Sequence, residues 1–351
     1  MLAAVLHGID DIRFEESPTP QPGPGEVLID VRATGVCGSD VPRVLRDAAH
    51  YYPIILGHEF AGVVAELGDD VDTTTVGDRV AVAPLMPCHR CAQCQRGQYS
   101  MCPSYSFIGS SRAGALAQYV VVPAVNLVKL ADSVSFTQAA MIEPSTVALH
   151  GVRVGDFRPG GHVAILGGGT VGLFTAQWAR ILGAKTVTVV DIDAHRLSVA
   201  DQFGVTHTID SRTSDPIQAA NAITDGEGFA HVFETAGQIP TQNLALKLVA
   251  RAGSITLIGN AHDDPCFPAA TFELLNRREV TLTASWMSYS PPFPGVEWLD
   301  TAHRFATGDL RWSAALLHDQ CAWPLSAVGH AFGLYHTPGR INGKLLFTQD
   351  V

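Results

Sequence analysis

Apolar positions in the first part of the chain recur with a period of two. Val27, Ile29 and Val31 alternate with Leu28, Asp30 and Arg32 directly after the breaker Pro22-Gly23-Pro24-Gly25, which predicts a strand opened by a turn. Phe60-Ala61-Gly62-Val63-Val64, Asp78 to Ala83, and Tyr119-Val120-Val121-Val122 predict further short strands. Up to about residue 145 the pattern is that of a mostly β domain. Near Pro159-Gly160-Gly161 the period changes. Val163-Ala164-Ile165-Leu166 is a short apolar run suited to a buried parallel strand, and Val171, Phe174, Trp178, Ile181 and Leu182 then follow at helical spacing. Strands at Val187–Val190, His231–Phe233, Ile255–Ile258 and Val280–Thr283 alternate with helical stretches at about 194–203 and 244–249. Such alternation predicts a doubly wound parallel sheet. The expected domains are residues 1–146, 147–287 and 288–351. The last segment is too short to stand alone and is expected to rejoin the first domain.

The chain has 351 residues, 46% hydrophobic and 16% charged, a globular balance. Acidic residues outnumber basic ones, 34 to 23, for a formal charge of −11. Without a basic run, nucleic acid and anionic membrane are excluded as expected partners. No apolar run approaches the roughly 18 residues of a membrane span. The N-terminal Met1–Leu6 has no cationic start and meets Asp10-Asp11, so no signal peptide is read there and a cytoplasmic location is expected.

Gly167-Gly168-Gly169-Thr170-Val171-Gly172 sits between a predicted strand and a predicted helix. Gly167 permits the tight turn, Gly169 lets the backbone approach a pyrophosphate, and Gly172 lets helix and strand pack. The N–H groups of the helix start, at Thr170 and Val171, face the anion. Asp191 ends the second strand of this unit, where its carboxylate would take the adenosine ribose hydroxyls and repel a 2′-phosphate, which predicts NAD over NADP. Arg196 lies just downstream and is counted with this site.

Cys88, Cys91, Cys94 and Cys102 fall in one loop, at about residues 87–103. Four soft thiolates so close predict a closed, structural zinc site. A second set is dispersed: Cys37, the pair His58-Glu59, and Glu143. Spacing does not join them, and each has an ordinary reading as a core or helix-start residue.

In combination, Cys37-Gly38-Ser39-Asp40, Gly57-His58-Glu59, the four-cysteine loop, Glu143-Pro144 and the glycine turn resemble, in order, the zinc-containing medium-chain alcohol and polyol dehydrogenases. The resemblance implies a GroES-like catalytic domain split around a Rossmann domain. It also implies two zinc ions per subunit, the second a catalytic one held by Cys37, His58 and, directly or through a water, Glu59 and Glu143. The runs Cys37–Arg43, Ala49–Ile54, Phe107–Ser110 and Ser285–Ser290 resemble polyol-phosphate dehydrogenases within that family, although Ser111 and Ala113 stand where a basic and an acidic residue are expected.

The implied reaction is reversible, NAD-linked oxidation of a secondary alcohol of a polyol or polyol phosphate. Ser39 is the expected first proton relay, unless it only caps a helix starting near Asp40. Pro42 occupies the place of a histidine found in many relatives, leaving His50 or water as the outer relay. Arg43, Phe107, Ser110 and Trp286 are the expected substrate contacts. Two subunits are expected to pair through the open edge near Glu279–Ser285, giving a dimer or tetramer. The alternatives are a dehydrogenase of a free polyol, another vicinal diol or a 2-amino-3-hydroxy acid, and a catalytically silent protein that senses NAD and zinc.

Overall fold

The alternating run after Pro22–Gly25 forms the strand Glu26–Gly35, whose Val27, Leu28, Ile29 and Val31 are buried while Arg32 reaches solvent. It is buried on both faces because it is central: Glu59–Leu67, Tyr119–Pro123 and Leu346–Thr348 all pair with it antiparallel. Arg79–Val82 and Leu127–Lys129 extend the sheet beyond Glu59–Leu67, and Trp323–Pro324 closes the other side beyond Leu346–Thr348. A hairpin of Leu2–Gly8 and Asp11–Glu16, joined by Ile54–Ile55, makes a separate small sheet. A two-stranded ribbon pairs Leu85–Met86 with Ser106–Phe107.

This is a computed structural model and it describes residues 1–261 and 263–349. The chain divides into two units: the first holds residues 1–143, 289–308 and 314 onward, the second 144–288 and 309–313. The short piece 309–313 returns to the second unit, away from the segment that precedes and follows it.

The second unit carries six parallel strands in the order His207–Asp210, Thr186–Asp191, His162–Leu166, Phe229–Glu234, Val249–Leu257, Thr281–Ala284. Order reverses on either side of His162–Leu166, so the loops at the carboxyl ends of the two neighbouring strands diverge there, as ligand binding in doubly wound sheets requires. The helix expected near 244–249 runs instead over Ile239–Leu248, because Pro240 pre-sets its first turn and Val249 already has extended dihedrals and opens the next strand. Helices Pro216–Thr224 and Ala269–Arg277 escaped the sequence reading. Each is only nine residues long and partly exposed. Among the described residues no helix is long and apolar enough to cross a membrane.

Candidate metal centres and dinucleotide turn

The four cysteines of the loop converge. Their sulfurs lie within 4.8 Å of one another, with Cys91 and Cys102 Sγ 3.9 Å apart. Four sulfurs about 2.3 Å from a tetrahedral zinc would be about 3.8 Å apart, so the spacing fits that ion. Backbone groups of the same loop already solvate sulfur: Cys88 N–H donates to Cys102 Sγ and Cys94 N–H to Cys91 Sγ. The N–H groups of Arg90 and Cys91 hold the Cys88 thiol down at about 6, whereas burial pushes Cys94 up to about 12. The loop rests on a run of aromatic rings within the first unit. Phe293 meets His89 and Tyr99 edge-on and stacks on Tyr289, whose hydroxyl accepts the Leu85 N–H.

Cys37 follows the strand Glu26–Gly35, and His58 and Glu59 open its partner strand, whose Glu59 pairs in register with Gly35. The pairing therefore carries Cys37 to the His58-Glu59 pair, and donor atoms of all three lie within 4.8 Å of one another. Asp40, fully buried at the start of the helix Asp40–Leu45, accepts the Cys37 N–H and sets Oδ1 3.6 Å from His58 Nδ1. With Nδ1 turned to a carboxylate, Nε2 is the nitrogen left for a metal. Burial, and then the Glu59 charge, push the Cys37 thiol up to about 11. Burial raises Glu143 to about 8, against the pull of His58. A dry cluster of thiol, imidazole and carboxyl groups is costly without a cation and suits zinc by donor type. No ion is needed to explain Lys344: its buried ammonium reaches Glu59 Oε1 at 2.6 Å, contacts Oε2, and donates to Val36 O.

The expected substrate and relay residues separate. Ser39 precedes the helix with αR dihedrals and makes no side-chain cap bond, so the capping role is not what the structure contains. Its Oγ accepts from Arg43 Nη1 at 2.9 Å, and the same nitrogen reaches Ser39 O and Asp40 Oδ1. Arg43 is mostly covered, with Nη1 3.2 Å from Asp40 Oδ1. The Phe107 ring stands edge-on to His58 with centroids 5.4 Å apart. Ser110 is buried, its N–H donating to Phe107 O. Trp286 is half exposed and belongs to the second unit. His50 is exposed.

In the second unit Gly167 has φ +108°, a left-handed turn that disfavours other residues. A Cβ on Gly172 would lie 1.9 Å from Gly167 O, so helix and turn meet only through glycine. Gly169 starts the helix Thr170–Ile181 without a side-chain cap bond, leaving the first N–H groups for an anion. Asp191 is buried. Its Oδ2 accepts the Gly168 N–H at 2.5 Å and Oδ1 the Asp193 N–H at 2.8 Å, leaving lone pairs on both oxygens. Arg196 is held beside Asp191 at 3.7 Å and Asp193 at 3.9 Å. Sequence reasoning missed the supports of this turn. Thr235 Oγ1 donates to the Leu166 and Gly167 carbonyls, and buried Glu234 accepts from the Ala236 and Gly237 N–H groups. It also missed Lys344 and the orienting part of Asp40. An Asp three residues after a predicted ligand was a usable signal; a lone lysine near the C-terminus was not.

With this geometry in view, residues 23–132 match the family model of the alcohol dehydrogenase GroES-like domain and residues 170–301 that of the zinc-binding dehydrogenase. Galactitol 1-phosphate 5-dehydrogenase of Escherichia coli (strain K12) is 39% identical over 308 residues, 87% of this chain and 89% of that protein. The chain belongs to the zinc-containing medium-chain alcohol dehydrogenase family. It is an oxidoreductase of the alcohol and polyol dehydrogenase type. Sorbitol dehydrogenase of Bacillus subtilis (strain 168) is 38% identical over 264 residues, 74% of this chain and 75% of that one. The crystal structure of galactitol-1-phosphate dehydrogenase from Escherichia coli superposes with a TM-score of 0.93 at 35% identity, covering 99% of this chain and all of that one. That family's fold, a GroES-like domain with a Rossmann-like parallel sheet, is the fold described above. Of two further relatives of known structure, a putative zinc-binding dehydrogenase from Sinorhizobium meliloti 1021 holds NADP (29% identity, TM-score 0.88, 99% and 98% covered). An Escherichia coli CFT073 alcohol dehydrogenase holds NADH (26%, 0.87, 99% of each).

Proposed function

We propose that this enzyme oxidises a secondary alcohol of a polyol or sugar-alcohol phosphate to the ketose, reversibly, with NAD. The observation that carries the reading is the convergence of the donors of half-buried Cys37 and buried His58 and Glu59, with Asp40 behind the imidazole. Cys37, His58 and, directly or through a water, Glu59 and Glu143 would hold the catalytic zinc, and Cys88, Cys91, Cys94 and Cys102 a second, structural one. Zinc bound at the first centre supplies Lewis-acid chemistry, lowering the pKa of an alcohol oxygen toward neutrality.

The remaining work falls to side chains. Ser39 Oγ, already accepting from Arg43, keeps one lone pair for the proton of the substrate hydroxyl, and its own O–H, which otherwise turns to the Cys37 sulfur, is the proton to pass on. A guanidinium stays protonated, so Arg43 cannot be the next carrier. It fixes the Ser39 oxygen, and the proton leaves by way of water or a cofactor hydroxyl. Phe107 covers the flank of His58, and Ser110 and Arg43 are the proposed polar contacts of the substrate, with Trp286 a proposed wall.

Gly167, Gly169, Thr170, Val171 and Gly172 would seat the pyrophosphate and Asp191 the adenosine ribose. Arg196 lies 3.7 Å from Asp191 and 3.9 Å from Asp193, and these two carboxylates beside it favour NAD over NADP. Asp191→Ser should therefore raise the efficiency with NADP relative to NAD at least tenfold; unchanged discrimination in initial-rate assays would sink this role. The strand Thr281–Ala284 ends the sheet with Leu282 exposed, which supports pairing of two subunits there, as a dimer or tetramer in the cytoplasm.

One observation favours a free polyol over its phosphate. Ser111 Oγ is taken by the Phe107 N–H, and Arg112 is drawn toward Glu26 at 3.4 Å, so neither waits for an anion. The deciding experiment measures initial rates of NAD reduction with galactitol, sorbitol, xylitol and threitol, each beside its 1-phosphate. Preference for a phosphate ester supports the galactitol 1-phosphate type. Preference for a free polyol or diol keeps the zinc chemistry and removes the phosphate. No turnover of any alcohol by a metal-loaded protein would leave a silent binding protein.

A further inference from the structure

The four-cysteine loop is the excursion between the two strands of the short ribbon. The chain leaves at Leu85–Met86 and returns at Ser106–Phe107, where Met86 pairs with Ser106 and Leu85 with Phe107. Two residue pairs are too few to hold a ribbon in place unaided. The position of Phe107 beside His58 is therefore set by whatever grips the ribbon.

One grip is the loop itself, whose four sulfurs converge beyond Met86 and Ser106. The other is the segment that begins at Tyr289. Leu85 O is taken by Asn126 Nδ2 at 2.7 Å, while the Leu85 N–H donates to the Tyr289 hydroxyl at 2.9 Å in a buried bond. Tyr289 packs on the fully buried Trp298 and stacks on Phe293, each with centroids 5.8 Å apart. Phe293 in turn meets the loop's His89 and Tyr99 edge-on, with centroids 5.3 Å apart in both pairs. Gly97 of the loop leaves room for the Pro291 ring, since a Cβ there would fall 2.6 Å from Pro291 Cγ. One contiguous set of contacts thus runs from the loop through Phe293 and Tyr289 to Leu85 and its partner Phe107, the kind of path that can carry coupling.

We propose that Phe293 and Tyr289 are positioning residues that tie the placement of Phe107, and with it the substrate wall beside His58, to closure of the four-cysteine loop around its metal. This rests on the reading of Phe107 as a substrate contact and of the four cysteines as a metal site. The path ends on a pocket wall and not on a metal donor, so its loss falls on substrate binding more than on turnover.

Amide hydrogen exchange of the whole zinc-loaded enzyme, resolved by mass spectrometry, reads the coupling directly. Phe293→Ala is expected to speed exchange at least tenfold at Leu85–Met86 and Ser106–Phe107, while the hairpin Leu2–Gly8 and Asp11–Glu16 exchanges as before. With the best substrate among the four polyols and their 1-phosphates, KM should rise about tenfold and kcat change less than about threefold. Phe293→Tyr keeps the ring and should restore both readouts. Tyr289→Phe removes only the acceptor of the Leu85 N–H. It should speed exchange at Leu85 with the loop's metal still in place, a comparison that stands even if Phe293→Ala folds poorly. In a Cys94→Ser background, where the loop lacks a ligand, Phe293→Ala should add less than about twofold to either readout.

Unchanged exchange at Leu85 and Phe107 in both variants overturns the proposal, as does a Phe293→Ala effect of full size in the Cys94→Ser background. Either result leaves the rings as packing of the loop alone. Faster exchange with an unchanged KM overturns the reading of Phe107 as a substrate contact, and a natural enzyme without an ion at the loop overturns the metal reading. Exchange, KM and the ion count therefore tell the failures apart.

Discussion

The two candidate metal centres of the first unit are built by opposite routes. The cysteine loop draws all its donors from 15 consecutive residues, and its own backbone N–H groups solvate the sulfurs, so Cys88 sits at about 6. The other centre gathers Cys37 and the pair His58-Glu59 from separate elements, with Glu143 feeling their charges and Lys344 reaching in from near the C-terminus. Its protons are held tightly instead: burial lifts Cys37 to about 11 and Glu143 to about 8. A loop whose charge is met locally can be closed around an ion and left alone. A dry cluster whose charges depend on distant partners is costly to hold together, which fits a centre that must stay open.

The largest break in this comparison comes from removing one donor on each side. His58→Ala should lower turnover by on the order of a thousandfold or more, since the Lewis acid loses a ligand, while the melting temperature changes little. Cys94→Ser should do the reverse. Metal binding at a structural site is part of folding free energy, so the melting temperature and yield should fall markedly while the turnover of the surviving folded protein drops far less. Paired measurements of melting temperature and turnover per folded molecule check this. Equal loss of turnover from a fully folded Cys94→Ser enzyme would erase the distinction.

The same contrast explains what could be read from sequence. Cys88, Cys91, Cys94 and Cys102 are legible because ligand spacing within a loop is itself the geometry. The glycine turn is legible for the same reason, as Gly172 must lie against Gly167 whatever the rest of the chain does. The dispersed centre was joined only by resemblance. The contact between Gly35 and Glu59 is a matter of strand register, and that between Lys344 and Glu59 depends on the strand Leu346–Thr348 pairing with Glu26–Gly35. Neither register leaves a trace in local periodicity. The central strands of both units were visible as apolar runs, whereas the hairpin Leu2–Gly8 and Asp11–Glu16, the edge strand His207–Asp210 and the nine-residue helices were not read.

A smaller effect sharpens the part played by distant partners. Asp40 touches no metal in this scheme but orients His58 and holds Cys37 by its N–H. Asp40→Asn keeps the shape and removes the charge, and should weaken catalytic-metal affinity by about 10–100-fold, the usual cost of losing an outer partner. Competition titration against a chelator measures it. The cysteine loop in the same variant should hold its ion as before; a parallel loss there would mean that the substitution disturbs the whole unit.

The smallest effect asks whether the two centres differ before any metal arrives. In chelator-treated protein, iodoacetamide reacts with thiolate and not thiol. Cys88 is half-buried and lowered to about 6, so its thiolate fraction rises through pH 6 and is nearly complete at pH 7. Its rate of alkylation should therefore climb between about pH 5 and 7 and then level. Cys37, raised to about 11, remains a thiol across that range and should be modified slowly, with a rate still rising at pH 9. Cys94, raised to about 12 and buried, should behave like Cys37 although it belongs to the loop, so the order reports local hydrogen bonding and not merely which centre a cysteine serves. Site-resolved mass spectrometry over a pH series gives all three rates at once. Restoring zinc should protect Cys88 most visibly, since it has the most reactivity to lose. A Cys37 that reacts as fast as Cys88 at pH 7 would mean that the metal-free cluster opens to water, and the dry, charge-paired centre described here would have to be given up for that state.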